Sequence, residues 1–255
     1  MNFELIIIGI LTGFISAFFG IGGSSIDTPI LRAFLNFPPH IALGTPLPLT
    51  ILIAASALSV YKKEHIIDLR IAQLTLTGGI PAVLIGSYLS KFISGKILML
   101  LTSLILFLIG AHFVYRRFYR KQDSIKITLM EKREYYFLYP IGIAAIVGLI
   151  SGILANGGGI FFVPAYVLFF RMDIKQAIAT SLLSVSIMAL PCCLVHYCLG
   201  HMDLKSTAAL AVGAVPMAFL GAKLDLRTRS KTLELLFGIT LIVFSIYFFL
   251  DQLDS

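Results

Sequence analysis

The chain repeats itself at a constant offset: residues of its first half recur 135 positions later, in the same order and without a gap. The recurring residues include glycine, proline, aspartate and threonine, whereas chance matches in an apolar chain would be mostly leucine. We therefore expect two similar halves with the same order of structural elements. The equivalent pairs include Gly13 with Gly148, Ser16 with Ser151, Gly22 with Gly157, Gly23 with Gly158, Pro29 with Pro164, Thr45 with Thr180, Asp68 with Asp203, Gly78 with Gly213 and Gly86 with Gly221.

The composition is that of an integral membrane protein. Of the 255 residues, 58% are hydrophobic and 13% are charged, and the mean hydropathy is +0.95. Soluble domains carry about 25% charged residues. The net charge of +7 is attributed to cytoplasmic loops rich in Lys and Arg. No basic surface interleaved with aromatic residues stands apart from the apolar runs, so the expected partner is the lipid bilayer and not nucleic acid.

Each half contains five apolar segments, and the second of each five is too short to cross a bilayer. A helix of 11 or 12 residues covers only about 17–18 Å, against a hydrocarbon core of about 30 Å. The first and second segments are therefore expected to form a broken pair that meets at glycines. The expected segments lie at 3–20, 26–37, 41–61, 70–90 and 97–115, and at 136–155, 160–171, 176–198, 204–222 and 232–250.

The placement of Lys and Arg selects the topology. If each half contributes an odd number of crossings and the linker is cytoplasmic, 16 of these residues lie in the cytoplasm and 4 outside. If each broken pair crosses only once, the split is 11 to 9. The sequence thus predicts an all-α membrane protein of two inverted repeats, each a broken helix pair followed by three transmembrane helices. We expect a first repeat at 1–115, a basic cytoplasmic linker at 116–135 and a second repeat at 136–255, with both termini outside the plasma (inner) membrane.

Two glycine-rich stretches, FFGIGGSSID at 18–27 and ILANGGGIFF at 153–162, interrupt the hydrophobic runs at corresponding places. Inverted repeats with broken helices are the layout of secondary transporters, whose substrates bind near the midplane. Glycine permits φ > 0 and close approach of a ligand, and we expect Gly23 and Gly158 to need both. Helices that begin near Ser25 and Ile160 would present N–H groups to a small anion. The candidate binding residues here are Gly22, Gly23, Ser24, Ser25, Asn156, Gly157, Gly158 and Gly159. The alternative is that these glycines only allow close helix packing.

A second polar stretch follows each short segment, ALGTPLPL at 42–49 and AIATSLLS at 177–184. Thr45, Thr180 and Ser181 are candidates for lining the substrate site. The alternative is that their hydroxyls bond the carbonyls one turn earlier in their own helices.

Both halves contain the same series of motifs in the same order. A glycine break is followed by a short helix with a proline, then by the motif A-x-G/A-T-x-L, and then by Asp-Leu before a helix rich in glycine and proline. This series resembles the TauE/SafE family of sulfite exporter-like membrane proteins, from about Gly9 to Leu250. The resemblance implies a transporter of sulfite, sulfonates or related sulfur-containing anions. A proton or the membrane potential would drive export, because no ATP-binding motif is present. Carried over by position, the signature residues are Gly20, Gly22, Gly23 and Pro29, then Gly157, Gly158, Gly159 and Pro164, with Thr45 and Thr180.

This chain departs from the family pattern at Ser24, where a third glycine is usual, and at Asp27, where an apolar residue is usual. Ionisable residues within a membrane are functional candidates by default, so Asp27 is a candidate proton carrier. The alternative is an acid that only complements the N-terminus of its helix.

The rival function is the handling of a soft metal, or an assembly role, through the cluster at 192–201. Cys192 with His196, and Cys198 with His201, have spacings that suit thiolate and imidazole ligands. The first half has no equivalent cluster, which argues against this alternative, and no metal or other cofactor is expected. An enzyme is not indicated, since no nucleophile–base pair, paired carboxylates or phosphate loop occurs. A homodimer stays an alternative to a monomer.

Overall fold

The computed structural model describes residues 2–89, 95–119, 138–153 and 159–253. The described residues form helices joined by short turns, with one 3₁₀ turn at Lys62–Glu64. The α-helices are α1 (Asn2–Phe19), α2 (Ser24–Ala33), α3 (Pro39–Gly44), α4 (Leu47–Tyr61), α5 (Leu69–Leu89), α6 (Gly95–Tyr119), α7 (Leu138–Ile153), α8 (Gly159–Phe169), α9 (Ile174–Cys198), α10 (Leu204–Arg227) and α11 (Ser230–Leu253).

Five helices of the described part are long and apolar enough to cross a bilayer, so the chain is a multi-pass membrane protein. The first span, His40–Glu64, is made of α3, α4 and the 3₁₀ turn taken together. The other four are Leu69–Leu89, Ile174–Cys198, Leu204–Arg227 and Ser230–Tyr247. The predicted all-α membrane fold is confirmed.

The second segment of each half is short, as the sequence predicts. Helix α2 has 10 residues and α8 has 11, which correspond to about 15 and 17 Å. Both end in the same way. Asn36 and Arg171, which are equivalent positions, have φ of 51° and 54°. The N–H groups that follow, at residues 37 and 172, reach back to the carbonyls of residues 31 and 166, a bond that closes a helix end through a left-handed residue.

Glycines allow the first helix of each half to pack closely against a long helix of the other half: α1 packs against α10, and α7 packs against α5. A Cβ on Gly213 would overlap the carbonyl of Ile6 on α1, and a Cβ on the equivalent Gly78 would overlap the equivalent Ile141 on α7. Gly221 lies against Phe14 in the same way, and Gly86 against Leu149. Because residue numbers rise together along each pair, α1 is parallel to α10 and α5 is parallel to α7. Each of these contacts between α1 and α10 thus has an equivalent contact between α7 and α5, with the roles of the two halves exchanged.

The last helices of the two halves, α6 and α11, pack against each other in opposite directions. Ser245 donates a hydrogen bond to the carbonyl of Ser103 at 2.7 Å. Further along, the rings of Phe113 and Phe237 have centroids 5.3 Å apart. Residue numbers therefore rise along α6 as they fall along α11.

Several expected boundaries differ from the structure. The expected segment 26–37 begins and ends earlier, as α2 (Ser24–Ala33), and α10 continues to Arg227, past the expected end at 222. The expected segment 41–61 is divided into α3 and α4 at Thr45 and Pro46, because a proline cannot donate the backbone hydrogen bond that continues a helix. Helix α6 continues to Tyr119, past the expected start of the basic linker at 116, and most of that linker lies outside the described residues.

Candidate functional site

The first glycine break separates α1 from α2 with two left-handed residues. Gly20 has φ of 68° and Gly22 has φ of 80°, a region that only glycine occupies at little cost. Gly23, by contrast, has φ of −62° and caps α2 in the right-handed helical region. The expectation that Gly23 needs a positive φ is wrong, because the chain has completed its reversal at Gly22.

The first break meets the start of α8. A Cβ built on Gly159, the first residue of α8, would overlap the carbonyl group of Ile21 and lie 3.0 Å from the nitrogen of Gly22. On its other sides, Gly22 faces two equivalent residues: its Cβ would lie 3.3 Å from Thr50 Cγ2 and 3.3 Å from Val185 Cγ1. We call this meeting point of Ile21, Gly22 and Gly159 the junction. It lies between the two halves, beside the first turn of α4 and the middle of α9.

Polar groups are concentrated on the first-half side of the junction. The N–H of Ser24 donates to Thr50 Oγ1 at 3.1 Å, and Ser24 and Ser25 are both buried. The residues equivalent to Asp27 and Thr50 are Phe162 and Val185, so at these two described positions the second half is apolar. Ser24, Ser25, Asp27 and Thr50 therefore form a polar wall that these two second-half positions do not repeat.

Asp27 lies on the polar wall and is fully buried. Its Oδ2 would lie 3.2 Å from a Cβ on Gly23, so the carboxyl group folds back toward the start of its own helix. Thr12 of α1 is near enough to interact with it, yet neither carboxyl oxygen has a well-formed hydrogen bond among the described residues. A buried carboxyl group without full hydrogen bonding is costly and needs an explanation.

Thr45 and Thr180 connect the two halves. The hydroxyl oxygen of Thr45 accepts the N–H of Asp203, and that of Thr180 accepts the N–H of Asp68, both at 3.1 Å. Ser181 donates to the carbonyl of Gly20 at 2.8 Å, so it holds the first break from α9. The sequence did not predict these contacts between the halves. Ser181 also donates to the carbonyl of Ile178 one turn earlier in α9, which is the bond within its own helix that the second alternative predicts.

Three predicted site residues, Asn156, Gly157 and Gly158, lie outside the described residues. Two residues beside the junction were missed by the sequence reasoning, Thr50 and Thr12. The signal available for Thr50 was its position one turn after Pro46, whose carbonyl also accepts the Thr50 hydroxyl. For Thr12 the only signal was a polar residue in an otherwise apolar run.

The cluster at 192–201 brings histidines together rather than cysteine with histidine. His201 stacks on His40 with ring centroids 4.8 Å apart, and His196 lies edge-on to His201 at 5.6 Å. The three cysteines are free thiols, and Cys198 is exposed. Within the described ranges, no group of three or more His, Cys, Asp or Glu side chains has an arrangement that would hold a metal ion. The geometry gives no support to the metal alternative.

Comparison with known proteins is consistent with this architecture. The chain is 28% identical to a probable membrane transporter, YunE, of Bacillus subtilis (strain 168), over 94% of each chain. It is 27% identical to a probable membrane transporter of Xylella fastidiosa (strain 9a5c), over 94% of this chain and 91% of that protein. It is 23% identical to the probable membrane transporter MJ0441 of Methanocaldococcus jannaschii, over 96% and 94%. No solved structure matches significantly.

The family model described as sulfite exporter TauE/SafE matches residues 5–248, nearly the whole chain. The relatives from Bacillus subtilis and Xylella fastidiosa are described as probable membrane transporters, and the match covers 94% and 91% of their lengths. The protein therefore belongs to the TauE/SafE family of membrane transporters.

Proposed function

We propose that this protein is a secondary transporter of small sulfur-containing oxyanions, sulfite or an organosulfonate, and that the anion binds at the junction. The observation that carries the proposal is the contact of Gly159 with the backbone of Ile21 and Gly22. Non-helical backbone at membrane depth is tolerated only where it is buried in protein or lines a polar site. Here such a segment, the first break, meets the start of α8 between the halves, the position at which repeat transporters bind their substrates.

The polar wall suits an oxyanion. Helix α2 begins there, and the N-terminus of a helix favours negative charge. In the present structure Thr50 accepts the N–H of Ser24, so an anion would replace the threonine oxygen as the acceptor. Ser24 and Ser25 supply hydroxyl groups next to that N–H. Thr45, Thr180 and Ser181 support the site without binding the anion, since their hydroxyl groups form hydrogen bonds that join the two halves.

Asp27 gives the proposed site a means of coupling. An ionised carboxylate beside the start of α2 would repel an anion, whereas a neutral carboxyl group would not. Binding of the anion thus favours a protonated Asp27, and loss of the proton favours release. Proton and anion would bind together, so a proton gradient or the membrane potential drives movement of the anion.

Transport further requires that the junction open alternately to each side. Its described candidate residues are all buried, so the substrate cannot enter without a rearrangement. Antiparallel packing of the equivalent helices α6 and α11 supports an inverted relation between the halves. In an inverted pair, exchanging the conformations of the halves turns an outward-open state into an inward-open one. With the 120–137 stretch in the cytoplasm, both termini lie outside the plasma (inner) membrane.

The test is flux of radiolabelled sulfite into proteoliposomes that contain the purified protein, with and without an imposed pH gradient. We expect uptake that depends on the protein, rises with the gradient and is inhibited by a small alkyl sulfonate. Gly159→Ala should abolish uptake, because its methyl group overlaps the Ile21 carbonyl. Gly142→Ala is the matched control, since a Cβ there meets no atom within 4 Å. Uptake equal to that of empty liposomes for sulfite and sulfonates alike would refute the proposed substrate class.

A further inference from the structure

A second buried acid lies beyond the junction and joins the two halves. The Tyr61 hydroxyl of α4 donates to Asp225 Oδ2 of α10 at 2.8 Å and lies 3.3 Å from the carbonyl oxygen of Ala17 on α1. Tyr61 and Asp225 both have 0% of their surface exposed. Three helices from both halves therefore converge on one hydrogen-bonded pair.

The pair lies directly next to the first glycine break. Ala17 is three residues before Gly20, and α4 and α10 both end within a few residues of the pair. In the proposed topology these helix ends face the cytoplasm, because Lys62 and Lys63 follow α4 and Arg227 is the last residue of α10. Helices α1, α4 and α10 pack against one another here, and the pair lies where the three helices meet.

The opposite end of the molecule carries titratable residues at equivalent positions. The residue equivalent to Tyr61 is His196, and the residue equivalent to Lys175 is His40. His196 is half-buried and belongs to the histidine group with His40 and His201, whereas Tyr61 is fully buried. The two ends of an inverted-repeat transporter are expected to close through equivalent positions, and here one end is more tightly closed.

The chemistry of Asp225 links closure to a proton. Its Oδ2 has the Tyr61 hydroxyl as a donor, and its Oδ1 has no hydrogen-bond partner among the described residues. A carboxylate buried with one neutral donor is strongly disfavoured over the neutral carboxyl group. The charged groups that face it are Lys175, whose Nζ donates to the Leu226 carbonyl at 2.7 Å, and Asp173. The contact from α1 is the backbone carbonyl of Ala17, and the one charged residue of α1, Glu4, lies in its first turn at the other end of the helix.

We propose that the Tyr61–Asp225 pair closes the cytoplasmic end of the transport path, and that Asp225 gives its proton to cytoplasmic water each time this end opens. The closed state holds the neutral carboxyl group against Tyr61. Opening breaks the O–H···O bond, hydrates the carboxyl group and allows it to ionise. This inference rests on the proposed transport function, but its test below needs no substrate.

The test is the labelling rate of a single cysteine, Ala57→Cys, one turn before Tyr61 on α4 and 0% exposed. The background replaces Cys192, Cys193 and Cys198 by serine, and a hydrophilic maleimide is added to inside-out vesicles at several values of pH. Rates are divided by those of the denatured protein at the same pH, which removes the titration of the thiol. We expect slow labelling that accelerates as the pH rises.

Asp225→Asn, which stays neutral, should label slowly with no pH dependence. Tyr61→Phe removes one hydrogen bond and should label roughly two- to tenfold faster. The matched control is Tyr166→Phe, a buried tyrosine that bonds Ser184 at 2.8 Å within the second half, and its rate should not change. The proposal is overturned if Asp225→Asn keeps the pH dependence, or if Tyr166→Phe accelerates labelling as much as Tyr61→Phe. If Asp225→Asn does not fold, the two tyrosine variants decide. Labelling as expected without sulfite flux would leave this closure in place and refute only the proposed substrate.

Discussion

Thr45 and Thr180 perform the same task from opposite halves of the molecule. Each hydroxyl oxygen accepts, at 3.1 Å, the backbone N–H of the aspartate that precedes a long helix of the other half, Asp203 or Asp68. The donors and the acceptors are both related by the offset of 135 residues. A duplicated sequence thus provides two copies of one hydrogen bond between its halves, and the stability of each half depends on the other.

Removal of either threonine hydroxyl should therefore destabilise the protein to a similar extent. Thr45→Val and Thr180→Val keep the side-chain volume and leave one aspartate N–H without its acceptor, at a cost of about 0.5–1.5 kcal/mol each. Because the two bonds share no partner, the double variant should lose about the sum. Thermal unfolding of the purified variants in detergent measures this. A full loss in Thr45→Val with none in Thr180→Val would contradict the equivalence.

Asp203 should make stability depend on acidic pH. The hydrogen bond from Ser206 at 2.6 Å, together with backbone N–H donors, lowers the pKa of Asp203 below its ordinary value of 3.8. A lowered pKa in the folded state adds stability above the ordinary value, and this stability is lost as the pH falls through the folded-state pKa. The effect is reduced by solvent, since Asp203 is only partly buried.

Ser206→Ala removes the main cause of that shift. Measured as the unfolding temperature in detergent between pH 7 and pH 2.5, its destabilisation should be present at pH 7 and should shrink below about pH 4. A destabilisation that stays constant across this range would mean that the Ser206 hydroxyl acts by packing and not through the charge of Asp203.

Asp27 should be needed for coupling rather than for binding alone. Asp27→Asn keeps the size of the side chain and removes the exchangeable proton. We expect proteoliposomes with this variant to exchange labelled for unlabelled sulfite, and to lose accumulation driven by a pH gradient. If gradient-driven accumulation persists in Asp27→Asn, the carboxyl group only complements the start of α2.

The inverted arrangement predicts where reporter fusions are found. Fusions after Asp123 and after Glu64 should report the cytoplasm, and a fusion after Ser255 should report the outside. The first two serve as controls for each other, because they follow different helices. Reporters at Asp123 and Ser255 on the same side of the membrane would exclude an odd number of crossings in the second half.

Much of the architecture was predictable because it depends on the repeat of the sequence and on the lengths of its apolar segments. The offset of 135 residues and the short second segments predicted two halves with broken helix pairs, and α2 and α8 are short, with 10 and 11 residues against the 12 expected for each. The sequence was less informative where a contact joins residues far apart. Nothing local in it distinguishes a threonine that lines a site from Thr45, whose partner is 158 positions away.

Backbone conformation within the first break was equally beyond the sequence. Three glycines at 20, 22 and 23 are equally permissive, and only the path of the chain decides that Gly20 and Gly22 take positive φ while Gly23 does not. The Tyr61–Asp225 contact was not predicted either. Each residue follows an apolar run and could have been assigned to the membrane surface, and only the packing of α4 against α10 brings them together.

The central claim, that the anion binds at the junction, is tested most directly by isothermal titration of sulfite into wild-type, Gly22→Ala and Gly200→Ala protein. Gly22 and Gly200 have φ of 80° and 69°, so alanine imposes similar strain, about 1–2 kcal/mol, at both positions. A methyl group on Gly22 lies between Thr50 and Val185, whereas one on Gly200 meets no atom within 4 Å. We predict unchanged affinity in Gly200→Ala and a loss of at least about tenfold in Gly22→Ala, which is about 1.4 kcal/mol. Wild-type affinity in a folded Gly22→Ala protein would contradict the claim and move the site away from the junction.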